Sequence, residues 1–252
     1  MPSFTHDNLR LSYFDEGDPA GDPVLLIHGF ASNKTINWIH PGWLETLGKA
    51  GYRVVAIDNR GHGESDKPHD TDAYTPEKMA GDAIALMRHL KIPRAHVMGY
   101  SMGARISAFM ALTAPEMMRS VVFGGLGIGM VEGLGGWEGI AEALRADSID
   151  DVTEPRLRMF RAFADQTGSD RIALAACIQS SRKKLTPQQA GTIETPALIA
   201  VGTKDDIAGS PRALAALMPN AEAVDIPGRD HMRAVGDRVF KEAVLGFFGA
   251  NR

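Results

Sequence analysis

Ala95-His96-Val97-Met98-Gly99-Tyr100-Ser101-Met102-Gly103-Ala104-Arg105-Ile106-Ser107-Ala108-Phe109-Met110-Ala111-Leu112 is the stretch that decides the fold. Its first four residues form a short apolar run with the character of a buried strand. Its last nine place apolar side chains at helical spacing, with Pro115 as a stop. Between them stands G-x-S-x-G. Where that pattern joins a strand to a helix it makes a nucleophile elbow, a turn so sharp that the serine hydroxyl projects. Only glycines leave room there for the neighbouring backbone.

Outward from the elbow, the chain alternates strand and helix. Val24-Leu25-Leu26-Ile27 and Arg53-Val54-Val55-Ala56-Ile57 read as central parallel strands, and Leu9-Arg10-Leu11-Ser12-Tyr13-Phe14 alternates like an edge strand. Thr75-Pro76-Glu77 opens a helix with a cap and a first-turn proline, and Met79, Ala83, Ile84, Met87 and Leu90 share one face. Ser120-Val121-Val122-Phe123 and Ala197-Leu198-Ile199-Ala200-Val201 supply two later strands. This order predicts an α/β fold with a mostly parallel sheet covered by helices on both faces. Residues 126–194 change character, with many glycines followed by short helical patterns. They are expected to form a small helical cap on a glycine hinge, inserted into a core made of residues 1–125 and 195–252.

The 252 residues suffice for one such domain with an insertion. A net charge of −4 gives no sign of nucleic-acid or anionic-membrane partners. A lone cysteine, Cys177, excludes an internal disulfide framework and agrees with a reducing compartment. The N-terminal residues carry no basic and apolar leader pattern, and the uncharged stretch around 121–131 is too short for a bilayer span. A cytoplasmic protein acting on a small molecule is the expectation; oligomeric state is not legible.

A serine hydroxyl is a poor nucleophile at neutral pH and needs a base, which in turn needs an orienting group. On a strand–turn–helix elbow the chain order is serine, acid, histidine. Seven of the eight histidines precede Ser101, and only His231 follows it. Asp205 and Asp206 are the acids standing directly beyond an apolar strand between those two positions. Acyl transfer also needs donors for the developing oxyanion. The backbone N–H of Met102 at the start of its helix is one, and that of Phe30, in the loop His28-Gly29-Phe30-Ala31-Ser32-Asn33, is the other. No H-E-x-x-H or cysteine cluster suggests a metal, and the glycines of 124–139 contain no G-x-G-x-x-G or phosphate-loop pattern, so no cofactor is expected.

Five ordered segments resemble the α/β-hydrolase family: His28-Gly29-Phe30, Asp58-Asn59-Arg60-Gly61-His62-Gly63-Glu64-Ser65-Asp66, the Ser101 elbow, Gly202-Thr203-Lys204-Asp205, and the segment of His231. The resemblance implies an α/β-hydrolase fold over nearly the whole chain. It selects Asp205, the third residue after the strand-end glycine, over Asp206. It makes segment 58–66 a structural turn, so His62 has no catalytic part. The chain departs from the family at Gly209, where proline is common. A serine nucleophile excludes the family's haloalkane dehalogenases and epoxide hydrolases, whose nucleophile is aspartate. Phe30 and Met102 look like the small carboxylesterases and cofactor-free haloperoxidase-like members. The implied activity is a serine hydrolase cleaving a small, fairly apolar ester through an acyl-enzyme. Alternatives are C–N, lactone or C–C hydrolysis by the same triad, or a small-molecule receptor. The pocket beneath the cap is expected to use Phe30 and Met102, with Met130 or Trp137 near the acyl group.

Overall fold

The computed structural model describes residues 1–133 and 137–252. Eight strands form one sheet: β1 Ser3–His6, β2 Leu9–Glu16, β3 Pro23–Ile27, β4 Arg53–Ile57, β5 Ala95–Tyr100, β6 Met118–Gly124, β7 Ala197–Gly202 and β8 Ala221–Ile226. Their spatial order is β1-β2-β4-β3-β5-β6-β7-β8. From β4 to β8 every neighbouring pair is parallel, while β1 and β2 run antiparallel to their neighbours.

The uninterrupted apolar runs of β3, β4, β5, β6 and β7 follow from burial on two faces. Leu25, Ile27, Val55, Val97, Val121 and Ile199 enter one core, and the alternate residues Val24, Leu26, Val54, Met98, Val122 and Leu198 enter the other. Helices cover both. In chain order, α1 is Trp43–Lys49, α2 Pro76–His89 and α3 Met102–Thr113. The Thr75 side chain caps α2 by accepting from the Lys78 N–H at 3.3 Å, and Pro76 occupies the first turn. Met79, Ala83, Ile84 and Met87 are buried as their spacing requires.

Between β6 and β7 the described residues contain helices and no strand: α4 Gly129–Glu132, α5 Ile140–Arg145, α6 Pro155–Gln166, α7 Arg171–Ser180 and α8 Pro187–Gly191. Ile140, Leu144, Ala164, Leu174 and Ile178 make a third apolar cluster, which Phe30 and Ala31 of the loop after β3 join. The chain then continues through α9 Pro211–Ala215, α10 His231–Ala234 and α11 Arg238–Ala250. The glycine-rich stretch after β6, read from sequence as a hinge, is pinned by backbone bonds. Gly127 N–H donates to Ala208 O at 2.9 Å and Ile128 N–H to Ser210 O at 3.0 Å.

The sheet also corrects the reading of residues 9–14 as an edge. β1 lies outside β2, joined by a two-residue turn in which Asp7 and Asn8 both adopt positive φ, 52° and 60°. Asp-Asn supplies that backbone readily. β8 is half-exposed along most of its length. Its alternating Ala221-Glu222-Ala223-Val224 lacks the continuous apolar run that marks the inner strands. Among the described residues no helix is long and apolar enough to cross a membrane.

Candidate active site

Parallel register brings the C-terminal ends of the central strands to one edge of the sheet. Ile27 pairs with Gly99, Tyr100 with Gly124, and Gly202 with Ile226. The loops leaving β3, β5, β7 and β8 therefore meet, at the place where open α/β sheets bind ligands.

The elbow is built by close approach. Ser101 itself adopts φ 55° and ψ −112°, a conformation that costs a non-glycine residue on the order of 1–3 kcal/mol. Its N–H donates to Gly124 O at 2.8 Å. A Cβ on Gly99 would stand 2.1 Å from Gly103 O, and one on Gly103 would stand 1.9 Å from Ile27 O. No side chain fits either position. α3 thus starts against the end of β3, with the serine at its tip.

Ser101, His231 and Asp205 form one hydrogen-bonded chain. His231 Nε2 lies 3.0 Å from Ser101 Oγ, and His231 Nδ1 lies 2.7 Å from Asp205 Oδ2. The carboxylate can only accept, so Nδ1 carries the proton and Nε2 is left to accept from the serine hydroxyl. Asp205 is held by its own loop: Oδ1 accepts the N–H groups of Ile207 at 2.9 Å and Ala208 at 3.0 Å. Its side chain is fully buried, whereas Asp206 is exposed. His231 is fixed through its backbone, since Tyr100 Oη donates to His231 O at 2.6 Å. Burial, then the charges of Asp205 and Asp230, push the Tyr100 phenol well above its ordinary range, so it remains a donor.

The loop after β3 lies against the elbow. A Cβ on Gly29 would be 3.2 Å from Tyr100 O and 3.4 Å from Ser101 Cβ. Asn37 steadies this loop by accepting the Gly29 N–H on Oδ1 at 3.1 Å. Met102 is the first residue of α3, so its N–H has no intrahelical acceptor and lies at the positive end of the helix.

Two cavities open on Ser101. The larger, about 210 Å³, also reaches His231 and is walled by Phe30, Trp137, Phe160, Phe163 and Met232. The smaller, about 30 Å³, is bounded by Phe30, Met102, Arg105, Trp137, Ile178 and Arg182 among others. Phe30 and Trp137 border both. Met130 does not belong with them. It is fully buried in the core packed under α3, and the lining position falls to its neighbour Gly129. Helical phase explains the difference, because adjacent residues of α4 point to different sides. Sequence reasoning missed Arg105, Arg182, Phe160 and Asn37. Arg105 lies in plain sight four residues after Ser101, but nothing local shows a cation turned inward from a buried helix.

The segment after β4 forms a largely buried polar network beside the site. Asp58 Oδ2 accepts from Lys34 Nζ at 2.5 Å and from the Glu64 N–H at 2.9 Å. His62 Nδ1 donates to Arg60 O at 2.9 Å, and its ring packs 5.2 Å from His28. Burial, then the neighbouring His28, pushes His62 down to about 3, so it is neutral at physiological pH. It makes no bond to the Ser101–His231–Asp205 chain.

This strand order and strand-end site define one class of architecture: the chain has the α/β-hydrolase fold. The model of the alpha/beta hydrolase fold matches residues 22–126. A hydrolase from Pseudomonas aeruginosa PA01 superposes with a TM-score of 0.83 at 26% identity, covering 98% of both chains. The enol-lactonase from Burkholderia xenovorans LB400 shares the fold, with a TM-score of 0.81, 23% identity and coverage of 98% of this chain and 100% of that one. A Mycobacterium tuberculosis protein named provisionally as the non-heme bromoperoxidase BpoC is 29% identical over 248 residues, 89% of this chain and 91% of its own.

Proposed function

We propose that this chain is a serine hydrolase that cleaves a small carboxylic ester with a fairly apolar body through an acyl-enzyme intermediate. The observation that carries this reading is the chain Ser101–His231–Asp205, at 3.0 and 2.7 Å, opening on an apolar cavity of about 210 Å³. Neutral His231 takes the Ser101 proton on Nε2 as Oγ attacks the ester carbonyl carbon. The oxygen that gains charge accepts from the N–H groups of Phe30 and Met102. Collapse expels the alcohol, which receives the proton from His231. Water then attacks the acyl-serine with His231 again as base, releasing the acid and restoring Ser101. Asp205 holds Nδ1–H and stabilises the imidazolium in both halves.

Residues 126–194 serve in this reading as a cap, since Trp137, Phe160 and Phe163 come from that segment and wall the larger cavity. A lactone, being a cyclic ester, passes through the same steps. The enol-lactonase of similar fold makes lactones a natural arm of the test. That test is a panel of p-nitrophenyl esters of increasing acyl length, run beside lactone and amide substrates, with an organophosphonate to trap the nucleophile. Ester turnover with stoichiometric labelling of Ser101 is expected. Sustained turnover without labelling, or labelling elsewhere, would sink the reading.

A further inference from the structure

The larger cavity suits an apolar group, but the smaller one is built differently. At about 30 Å³ it has room for little more than two polar atoms, since one water needs roughly 10–15 Å³ of such space. Ser101 and Met102 form one side of it; Arg105 and Arg182 contribute to the rest. Arg105 projects from α3, is 3% exposed, and donates to the carbonyls of Met130 at 3.0 Å, Lys183 at 2.9 Å and Gly129 at 3.3 Å. Those three acceptors are neutral dipoles. The Arg182 guanidinium lies 3.7 Å from the centre of the Trp137 ring, with that of Arg156 at 5.6 Å from the same ring. Arg156 Nε and one terminal nitrogen are buried without a hydrogen-bond partner.

Two guanidiniums thus lie over one indole beside the serine, and Arg105 lines the same small cavity. Burial, then Arg105 and Arg156, pushes Arg182 down to about 9, against a smaller opposing pull from Glu138; burial alone takes Arg105 to about 10. Both remain cationic at neutral pH, in a chain whose net charge is −4. Positive charge concentrated at a small, partly buried cavity is relieved by an anion, and a planar guanidinium matches the two oxygens of a carboxylate.

We propose that the smaller cavity is a carboxylate subsite, and that the substrates are esters or lactones carrying a free carboxylate a few bonds from the scissile carbonyl. This rests on the serine-hydrolase reading above. Arg182 receives the carboxylate, and Arg105, tied to three carbonyls, supplies fixed charge behind it. The apolar remainder of the substrate occupies the larger cavity.

Two nearly isosteric substrates test it: p-nitrophenyl valerate, which is neutral, and the p-nitrophenyl monoester of glutarate, which ends in a carboxylate. The parent protein is expected to favour the glutarate ester in kcat/KM by about tenfold or more. Arg182→Gln should collapse that ratio, mainly through KM of the charged ester, and Arg182→Lys should recover part of it. Arg182 is the chosen position because Arg105 also ties the inserted helices to α3. A parent without preference for the charged ester, or an Arg182→Gln variant that keeps it, overturns the subsite. When valerate is still cleaved and Ser101 still labelled, only the subsite falls. Failure of both esters, with Ser101 unlabelled, removes the hydrolase reading as well.

Discussion

The strand-end loops and the inserted helices border the same cavities but are specified in opposite ways. At the strand ends, geometry is dictated by backbone: two glycines that admit no Cβ, a serine at φ 55°, and an aspartate bonded to its own loop. The Gly99 and Asp205 constraints act within a few residues, and Gly103 meets the end of the neighbouring strand at Ile27 O. In the inserted helices, position is dictated by side chains meeting across long separations. Arg105 reaches the carbonyl of Lys183, Thr167 Oγ1 donates to Ala31 O at 3.2 Å, and Ser180 Oγ donates to Thr71 O at 2.6 Å. In the proposed reaction the chemistry sits on the locally coded part, and the choice of substrate on the part that packing defines.

Changes at the strand ends should therefore affect rate, and changes in the insertion should affect binding. The largest effect is expected from Ser101→Ala, which should lower ester hydrolysis by on the order of 10⁴-fold or more. The fold should persist, because the elbow glycines and the Ser101 N–H bond to Gly124 O set the backbone without the hydroxyl. Circular dichroism and the ester assay together check this. Undiminished turnover in a folded variant would end the division between the two regions.

Asp205→Asn should cost about a thousandfold in kcat, since an amide can present its N–H to His231 Nδ1 and favour the wrong tautomer. Asp206→Asn, one residue on and exposed, should change kcat by less than about twofold. The reverse ranking would show that the acid acts from a loop conformation other than the one held by Ile207 and Ala208.

The same division explains what could be read in advance. Ser101, His231 and Asp205 were legible because a local turn motif, chain order and a strand-end position each restrict the choice to one or two residues. The inner strands were legible because burial on two faces demands continuous apolar runs. β1 was missed because four residues joined by a two-residue turn carry little periodicity, although Asp7-Asn8 held the turn signal. Met130 and Trp137 could not be separated by sequence. Both are large apolar residues in a glycine-rich stretch, and only helix phase and tertiary packing send one into the core and the other to the cavity wall.

A third test concerns stability, where the locally coded region has its own titration. His62 is held at about 3, against an ordinary 6.5. Below pH 6.5 the unfolded chain takes up the proton first, so stability is present above that pH and is lost as pH falls toward 3. By pH 5 this one residue should have cost about 2 kcal/mol, at about 1.4 kcal/mol per pH unit. Urea denaturation at half-unit steps from pH 5 to 6.5 gives the slope. His62→Asn lowers stability throughout by loosening a buried turn, but it should flatten the slope by up to that amount per unit. Equal slopes would mean that the loss at acid pH arises elsewhere, with His28 and His96 the next to test, since burial lowers both.

A smaller effect than at Ser101 or Asp205 is expected at Trp137, and it bears most directly on the comparison. Its ring borders both cavities, packs 5.4 Å from Phe160 and supports the Arg182 guanidinium, yet it makes no hydrogen bond to the Ser101–His231–Asp205 chain. Trp137→Ala removes apolar wall that touches the bound substrate in ground and transition states alike. That loss is uniform binding, so KM for the best ester should rise about tenfold while kcat falls much less. Trp137→Phe should recover most of the affinity. Trp137 Nε1 is buried without a partner, and replacing an unsatisfied donor by an apolar ring of related shape costs little. Steady-state kinetics of the two variants over the ester series gives both constants. A collapse of kcat with KM unchanged would place this residue of the inserted segment among those that govern the chemical step, and the separation of rate from recognition in this fold would not hold.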